Sequence, residues 1–323
     1  MSEVDEALDQ RIRELLAEVE TALYEAAVAN TPFVTEAATH IISAGGKRFR
    51  PLLVALASQL HPGAVQDEII RAAMVCELTH VASLYHDDVM DEAELRRGAP
   101  AANRRWDNTV AIMVGDFLFS RASSIVATLG TDYVLLQANT FARLVQGQIA
   151  ETRGVPEGIE PLHHYLDVVA DKTGSLIATS AVFGGMVCGA PADQLEALAA
   201  FGEEIGVVFQ LADDLIDIES DVTGKTPGTD LREGVWTLPT LLAGASEDPA
   251  DGRLKQFLGR EIPDPVELAE ALALMRAHPA LEQARIEIRR RADAARAHLE
   301  VLPEGPARDG LAALCDQVVE RSS

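Results

Sequence analysis

The chain has 323 residues, 48% of them hydrophobic, enough to bury a sizeable core and too many for a disordered polymer. Its 51 Asp and Glu outnumber 27 Lys and Arg, giving a formal net charge of −24. So acidic a surface repels polyanions, which argues against nucleic acid as a partner; an anionic small substrate would need metal ions or a local basic cluster.

In chain order, the N-terminal MSEVDEALDQ is acidic and unlike a signal peptide, so a cytoplasmic location is expected. Leu, Ile, Val and Ala then recur at helical spacing through ALDQRIRELLAEVETALYEAAVA, up to a break at Pro32. GGKRFRP (45–51) puts Lys47, Arg48 and Arg50 after a glycine pair and at the start of a helix. A long apolar helix is predicted over DEIIRAAMVCELTHVASLYHDDVM, ending in Asp87, Asp88 and Asp91, with Gly98 and Pro100 as the next breakers. TVAIMV could pass for a strand, but GDFLFSRASSIVATL after it restores a helical period. Past Gly154 and Pro156, His163 and His164 are adjacent, do not share a helical face, and read as a solvated pair. PADQLEALAAFGEEIGVVFQLADDLIDI carries a second Asp-Asp-x-x-Asp set: Asp213, Asp214 and Asp217. TGKT (223–226) lacks the upstream glycine of a phosphate-binding loop, because Glu219 stands there. The three cysteines, Cys76, Cys188 and Cys315, have no paired spacing and are expected to be buried thiols. No apolar run reads as long enough to span a bilayer. The expectation is one all-α domain over 1–323, with roughly ten or more helices.

Two acid clusters and one basic cluster carry the chemistry. Positions i and i+4 share a helix face, so Asp87 and Asp91 point together, as do Asp213 and Asp217. Such oxygen donors suit Mg²⁺, which accepts one or two carboxylates and completes its shell with water and substrate phosphate. Both triplets end strongly apolar helices, which sets them apart from a merely solvated acidic face. Lys47, Arg48, Arg50, Arg96 and Arg97 provide forks and point charges for phosphate oxygens. Together they describe two phosphorylated ligands, one held through Mg²⁺ and the other held directly by cations.

GGKRFRP, ELTHVASLYHDDVMDEAELRRG, DKTG and FQLADDLIDIESDVTGK, in this order, resemble the trans-isoprenyl diphosphate synthases, the polyprenyl synthetase family, over nearly the whole chain. The resemblance implies a single large helical bundle around a deep central cavity, normally a homodimer, condensing isopentenyl diphosphate with an allylic diphosphate. It implies about three Mg²⁺ per active site, held by Asp87, Asp91 and Asp213 with Asp88 in support. Lys47, Arg50, His80 and Arg97 match the pocket for isopentenyl diphosphate. Arg96, Lys172, Thr173, Gln210 and Lys225 match groups on the allylic diphosphate, near Asp214 and Asp217. In GTDLREGVWTLP the family usually has lysine where Val235 stands, so one cationic contact is missing or replaced. Product release would involve transient membrane contact. A class I terpene cyclase would use one Asp-rich motif but has no need of the second diphosphate pocket. A non-catalytic synthase subunit tends to lose the aspartates, and this chain keeps all six.

Product length is read back along the first-motif helix. Ser83, Ala82, Thr79 and Cys76 are all small, and eleven residues of helix open roughly 16 Å of path, three or four prenyl units of about 4–5 Å each. Short-chain relatives typically plug this region with a bulky side chain. The expectation is therefore a long all-trans product, about C30 or more, unless a facing Phe117, Phe119 or Phe141 closes the path earlier. A short-chain, geranylgeranyl- or farnesyl-type, synthase is the alternative.

Overall fold

The computed structural model describes residues 3–219 and 227–321. Sixteen α-helices span these residues: α1 Glu3–Ala27, α2 Pro32–Ser43, α3 Phe49–Ala57, α4 Gln66–Met90, α5 Ala102–Arg105, α6 Asn108–Val126, α7 Thr131–Arg153, α8 Pro161–Val169, α9 Ser175–Val187, α10 Ala192–Glu219, α11 Thr229–Glu233, α12 Leu238–Gly244, α13 Gly252–Lys255, α14 Pro265–Ala277, α15 Ala280–His298 and α16 Pro306–Glu320. The strands among the described residues are β1 (Leu95–Arg96) and β2 (Ala99–Pro100), paired antiparallel. The fold is all-α, as the periodicity predicts.

Helix starts follow their capping chemistry. Thr31 precedes Pro32 and its hydroxyl accepts from the Val34 amide at 3.3 Å; Asp107 does the same for Val110 at 2.8 Å. That aspartate cap helps to turn TVAIMV into helix α6. Between α8 and α9 the chain makes one π-helical turn, Ala170–Gly174, which contains the whole DKTG motif.

Contacts divide the chain into two compact units. The first comprises Met1–Ala142, Leu176–Gly202 and Leu299–Leu311. Its core is α4, buried on nearly every side from Ile69 to Tyr85, which explains why that helix shows no polar face in sequence. Helices α1, α3 and α6 pack against it. Helix α9 crosses α3 closely at Gly184, where a Cβ would lie 2.5 Å from the Val54 carbonyl oxygen. The second unit comprises Arg143–Ser175, Glu203–His298 and Ala312–Ser323. There Ile205, Val208, Leu211 and Leu215 of α10, Met275 of α14 and Ile288 of α15 are buried.

Among the described residues, the 19-residue helix α6 passes for a membrane span by length and composition alone. Its Ala111, Val114, Leu118 and Ala122 are buried, and the helix packs along α4. The apolar character thus has a packing cause on one side, while Ile112 and Met113 remain exposed on another.

Candidate active site

In the first unit, the C-terminal turn of α4 places the first acid cluster. Asp91 caps the helix, its amide donating to the Asp87 carbonyl at 2.8 Å, so the two carboxylates leave the helix one turn apart. Asp88 turns inward. It is fully buried, and Arg96 grips its Oδ1 through Nε and Nη2, both at 2.6 Å, while Oδ2 has no hydrogen-bond partner. Burial pushes the Asp88 carboxyl up and Arg96 opposes that shift. The geometry thus separates Asp88 from the pair it sits between.

A tight hairpin aims the two arginines. Arg97 (φ 53°) and Gly98 (φ 78°) occupy left-handed backbone at the turn joining β1 to β2. Arg96 reaches Asp88, whereas Arg97 reaches the Gly45 carbonyl and, at 3.2 Å, the Ile41 carbonyl. Across from it, Arg50 on α3 has a buried Nε without a partner. Burial lowers both the Arg50 and Arg97 guanidiniums, and Glu77 counteracts it in each case. His80, one turn after Glu77 on α4, is held well below the usual imidazole range, first by burial and then by Arg50, Arg97, Arg96 and Arg48. It is therefore neutral at physiological pH and offers a ring N–H donor without charge. Lys47 is exposed at the end of the glycine loop.

In the second unit, α10 carries Asp213, Asp214 and Asp217 with three different environments. Asp213 Oδ1 meets Arg321 Nη2 at 2.7 Å. Asp214 is buried, accepts from the Tyr165 hydroxyl and from Gln210 Nε2 at 3.0 Å, and is pushed by burial up to about 6. Gln210 in turn accepts from the Thr173 hydroxyl at 3.4 Å. Asp217 accepts from the amides of Thr229 and Asp230, at 3.2 and 3.1 Å, and so anchors the start of α11. Lys172 pairs with Glu151 at 2.6 Å. Val235 is 42% exposed, and Lys225 lies outside the described residues.

Among the described residues no three His, Cys, Asp or Glu side chains converge on a ready-made metal site. The donor set still fits Mg²⁺, which takes few protein carboxylates and fills its octahedron with phosphate and water. Sequence reasoning passed over Glu77, Tyr165, Glu151, Asn103 and Arg321. Asn103 donates to the Asp88 backbone carbonyl at 2.9 Å. Their only signal was a polar residue inside an apolar run, which Glu77 and Tyr165 show.

The candidate length-determining residues Cys76, Thr79, Ala82 and Ser83 are all buried in the first unit. The Thr79 hydroxyl accepts from Gln137 Nε2 at 3.3 Å, and burial pushes the Cys76 thiol up to about 12. Further along, Tyr133 and Phe183 pack with ring centroids 5.0 Å apart. Phe119 packs at a tilt against Phe141, centroids 4.4 Å apart, and lies 5.7 Å from His86, beside the acid cluster, whereas Phe117 lies under Arg121.

A sequence profile described as polyprenyl synthetase matches residues 31–275. The chain is 48% identical over 290 residues to the nonaprenyl diphosphate synthase of Mycobacterium tuberculosis, covering 89% of this chain and 87% of that protein. It is 32% identical over 324 residues to the octaprenyl diphosphate synthase of Escherichia coli, covering 97% and 98%. Among solved structures, the decaprenyl diphosphate synthase of Rhodobacter capsulatus superposes with a TM-score of 0.88 at 35% identity, covering 99% of each chain. The geranylgeranyl pyrophosphate synthase of Corynebacterium glutamicum, complexed with calcium and isoprenyl diphosphate, gives 0.87 at 41% identity, covering 98% of this chain and 97% of that one.

Proposed function

Because the chain belongs to the polyprenyl synthetase family, we infer that it is a prenyltransferase joining isopentenyl diphosphate to an allylic diphosphate to make a long all-trans polyprenyl diphosphate. One observation carries the reading. Around helix α4 lie two unlike clusters, the Asp87–Asp91 carboxylates at its end and the cationic group of Arg50, Arg97 and His80 seven residues earlier, about 10 Å along the axis. The carboxylate face can take an anion only through metal; the pocket takes one directly. The proposed catalytic domain is the single all-α domain of residues 1–323.

Asp87, Asp91 and Asp213 would hold divalent metal, Mg²⁺ at about three per site. Bound there, the metal supplies Lewis-acid stabilisation of charge on the departing diphosphate. Arg96, oriented by Asp88, grips the allylic diphosphate; Lys172, Thr173, Gln210 and Lys225 meet the same leaving group, and Tyr165 steadies Gln210 through Asp214. Lys47, Arg50, His80 and Arg97 orient isopentenyl diphosphate. Departure of the allylic diphosphate breaks a C–O bond and leaves a delocalised cation. The isopentenyl double bond attacks it, a C–C bond forms, and a proton passes to the departed diphosphate. Fixed cations facing that charge lower the barrier because they need no reorganisation.

The small, buried side chains Cys76, Thr79, Ala82 and Ser83 support a long product. Exposed Ile112 and Met113 on α6, with Val134 and Leu135 on α7, support a homodimer. Three buried free thiols suit a reducing cytoplasm. The test incubates the protein with isopentenyl diphosphate, Mg²⁺ and each allylic primer in turn, then measures chain length. Products of about C30 or more support the reading; arrest at about C20 makes it a short-chain enzyme, and no condensation overturns it.

A further inference from the structure

The glycine loop of the cationic pocket is held from behind by a network that touches no expected ligand. Arg48 stands at the start of α3 in left-handed backbone, φ 48°. Its guanidinium spans both oxygens of Glu20 at 2.6 and 2.8 Å, and Nη2 also donates to the Ile42 carbonyl at 3.0 Å. Nη1 reaches Glu77 Oε1 at 3.0 Å. Gly46 closes over this: a Cβ there would lie 2.9 Å from the Arg97 guanidinium carbon and 3.0 Å from Arg48 Nη1. Glu77 is only 2% exposed, and its charge acts on Arg48, Arg50 and Arg97 alike. Glu20, at 38%, is open to solvent and screened.

A buried carboxylate among three guanidiniums has two consequences of opposite sign. It holds like charges together while no anion is bound, and it repels an anion that enters. Resting on the proposed function, we infer that Glu77 is the counter-charge of the isopentenyl diphosphate pocket, a positioning residue that limits how tightly the pocket keeps a diphosphate. The limit matters to an enzyme that adds many units. After each condensation the diphosphate in this pocket carries the lengthened chain and must leave before the next unit binds. A pocket without Glu77's charge would hold it too long.

The test is calorimetric titration of inorganic pyrophosphate in EDTA, so that binding reports the metal-free pocket. Glu77→Gln keeps an oxygen for Arg48 and removes the charge; it should tighten pyrophosphate about tenfold. Glu20→Gln should change it less than about threefold. In turnover, Glu77→Gln should lower the KM for isopentenyl diphosphate, leave the allylic KM unchanged, and shift products shorter because release between rounds slows. Unchanged or weaker pyrophosphate binding in folded Glu77→Gln overturns the inference. Should that variant fail to fold, Arg48→Gln is compared with Arg48→Gln/Glu77→Gln. The double variant should bind pyrophosphate more tightly than the single, and equal or weaker binding refutes the counter-charge. Absence of any metal-free pyrophosphate binding in the wild type, or its persistence in Arg50→Ala, instead removes the pocket assignment itself, and the inference with it.

Discussion

Arg321 pairs with Asp213 at 2.7 Å while its guanidinium lies 5.0 Å over the Phe209 ring. A residue close to the end of the sequence thus neutralises the carboxylate that leads the second acid cluster. Divalent metal bound at Asp213, as proposed, would have to compete with this contact. The pair is partly exposed, at 30% and 41%, so it is worth at most about 1 kcal/mol. Arg321→Ala should therefore lower the half-saturating Mg²⁺ concentration by about two- to fivefold. A metal titration at saturating substrates checks this, and a rise in the Mg²⁺ requirement would contradict it.

The first acid cluster predicts different phenotypes for neighbouring residues. Asp87→Asn or Asp91→Asn should cut kcat by about a hundred- to a thousandfold with the fold intact, since each removes a metal-facing carboxylate. Asp88→Asn should act through Arg96 instead, raising the KM for the allylic substrate more than it lowers kcat. Circular dichroism and steady-state kinetics on the three variants separate the two patterns. Equal effects at all three positions would put Asp88 in the metal set.

If Arg50 serves the metal-free pocket as proposed, Arg50→Ala should weaken isopentenyl diphosphate more than the allylic substrate. Loss of a charge-assisted contact costs about 1.5–3 kcal/mol, or roughly ten- to a hundredfold in affinity. The two KM values decide. An effect confined to the allylic substrate would reverse the assignment of the two sites.

Product length should respond to substitutions in the interior of the first unit. Ser83→Phe fills the space one turn before Asp87 and should stop the chain at about C15–C20 while condensation continues. Gln137→Ala removes the side chain bridging α7 to Thr79 and should leave the product as long or longer. Chromatography of the dephosphorylated products reads both. An unchanged length in Ser83→Phe would mean the chain takes another route.

Periodicity disclosed the helices because most bury one stripe, and the clustered breakers marked their ends. Even α4, which buries nearly every side, was legible by length and by the motif at its end. The division into two compact units was not legible, since neither a change of composition nor a linker marks it. At the site, residue types and spacing announced carboxylates and cations but not their orientation. Nothing local distinguishes Asp88, turned inward onto Arg96, from Asp87 and Asp91. Asp217 likewise reads as a ligand in sequence, yet its carboxylate accepts the amides that begin α11. Those assignments depend on partners eight to thirteen residues away and on a hairpin whose left-handed turn aims Arg96 and Arg97 differently. The roles of Tyr165 and Arg321 were not legible either, because their partners Asp214 and Asp213 lie 49 and 108 residues away in sequence.

The π-helical turn at Ala170–Gly174 fixes a rotational phase. A π turn accommodates one residue more than an α turn, and each residue of an α-helix advances by about 100°. Deleting one residue from DKTG would remove the extra residue of this turn and swing the side chains of Asp171 and Lys172 by about that angle around the helix axis. Asp171 would then leave Arg143, which it meets at 2.8 Å, and Lys172 would leave Glu151. Gly147 shows how closely the present phase is fitted, since a Cβ there would lie 2.8 Å from the Lys172 amide nitrogen. The extra residue is thus an angular setting written into chain length, and insertions or deletions in this short stretch should be tolerated far less well than substitutions at its exposed positions.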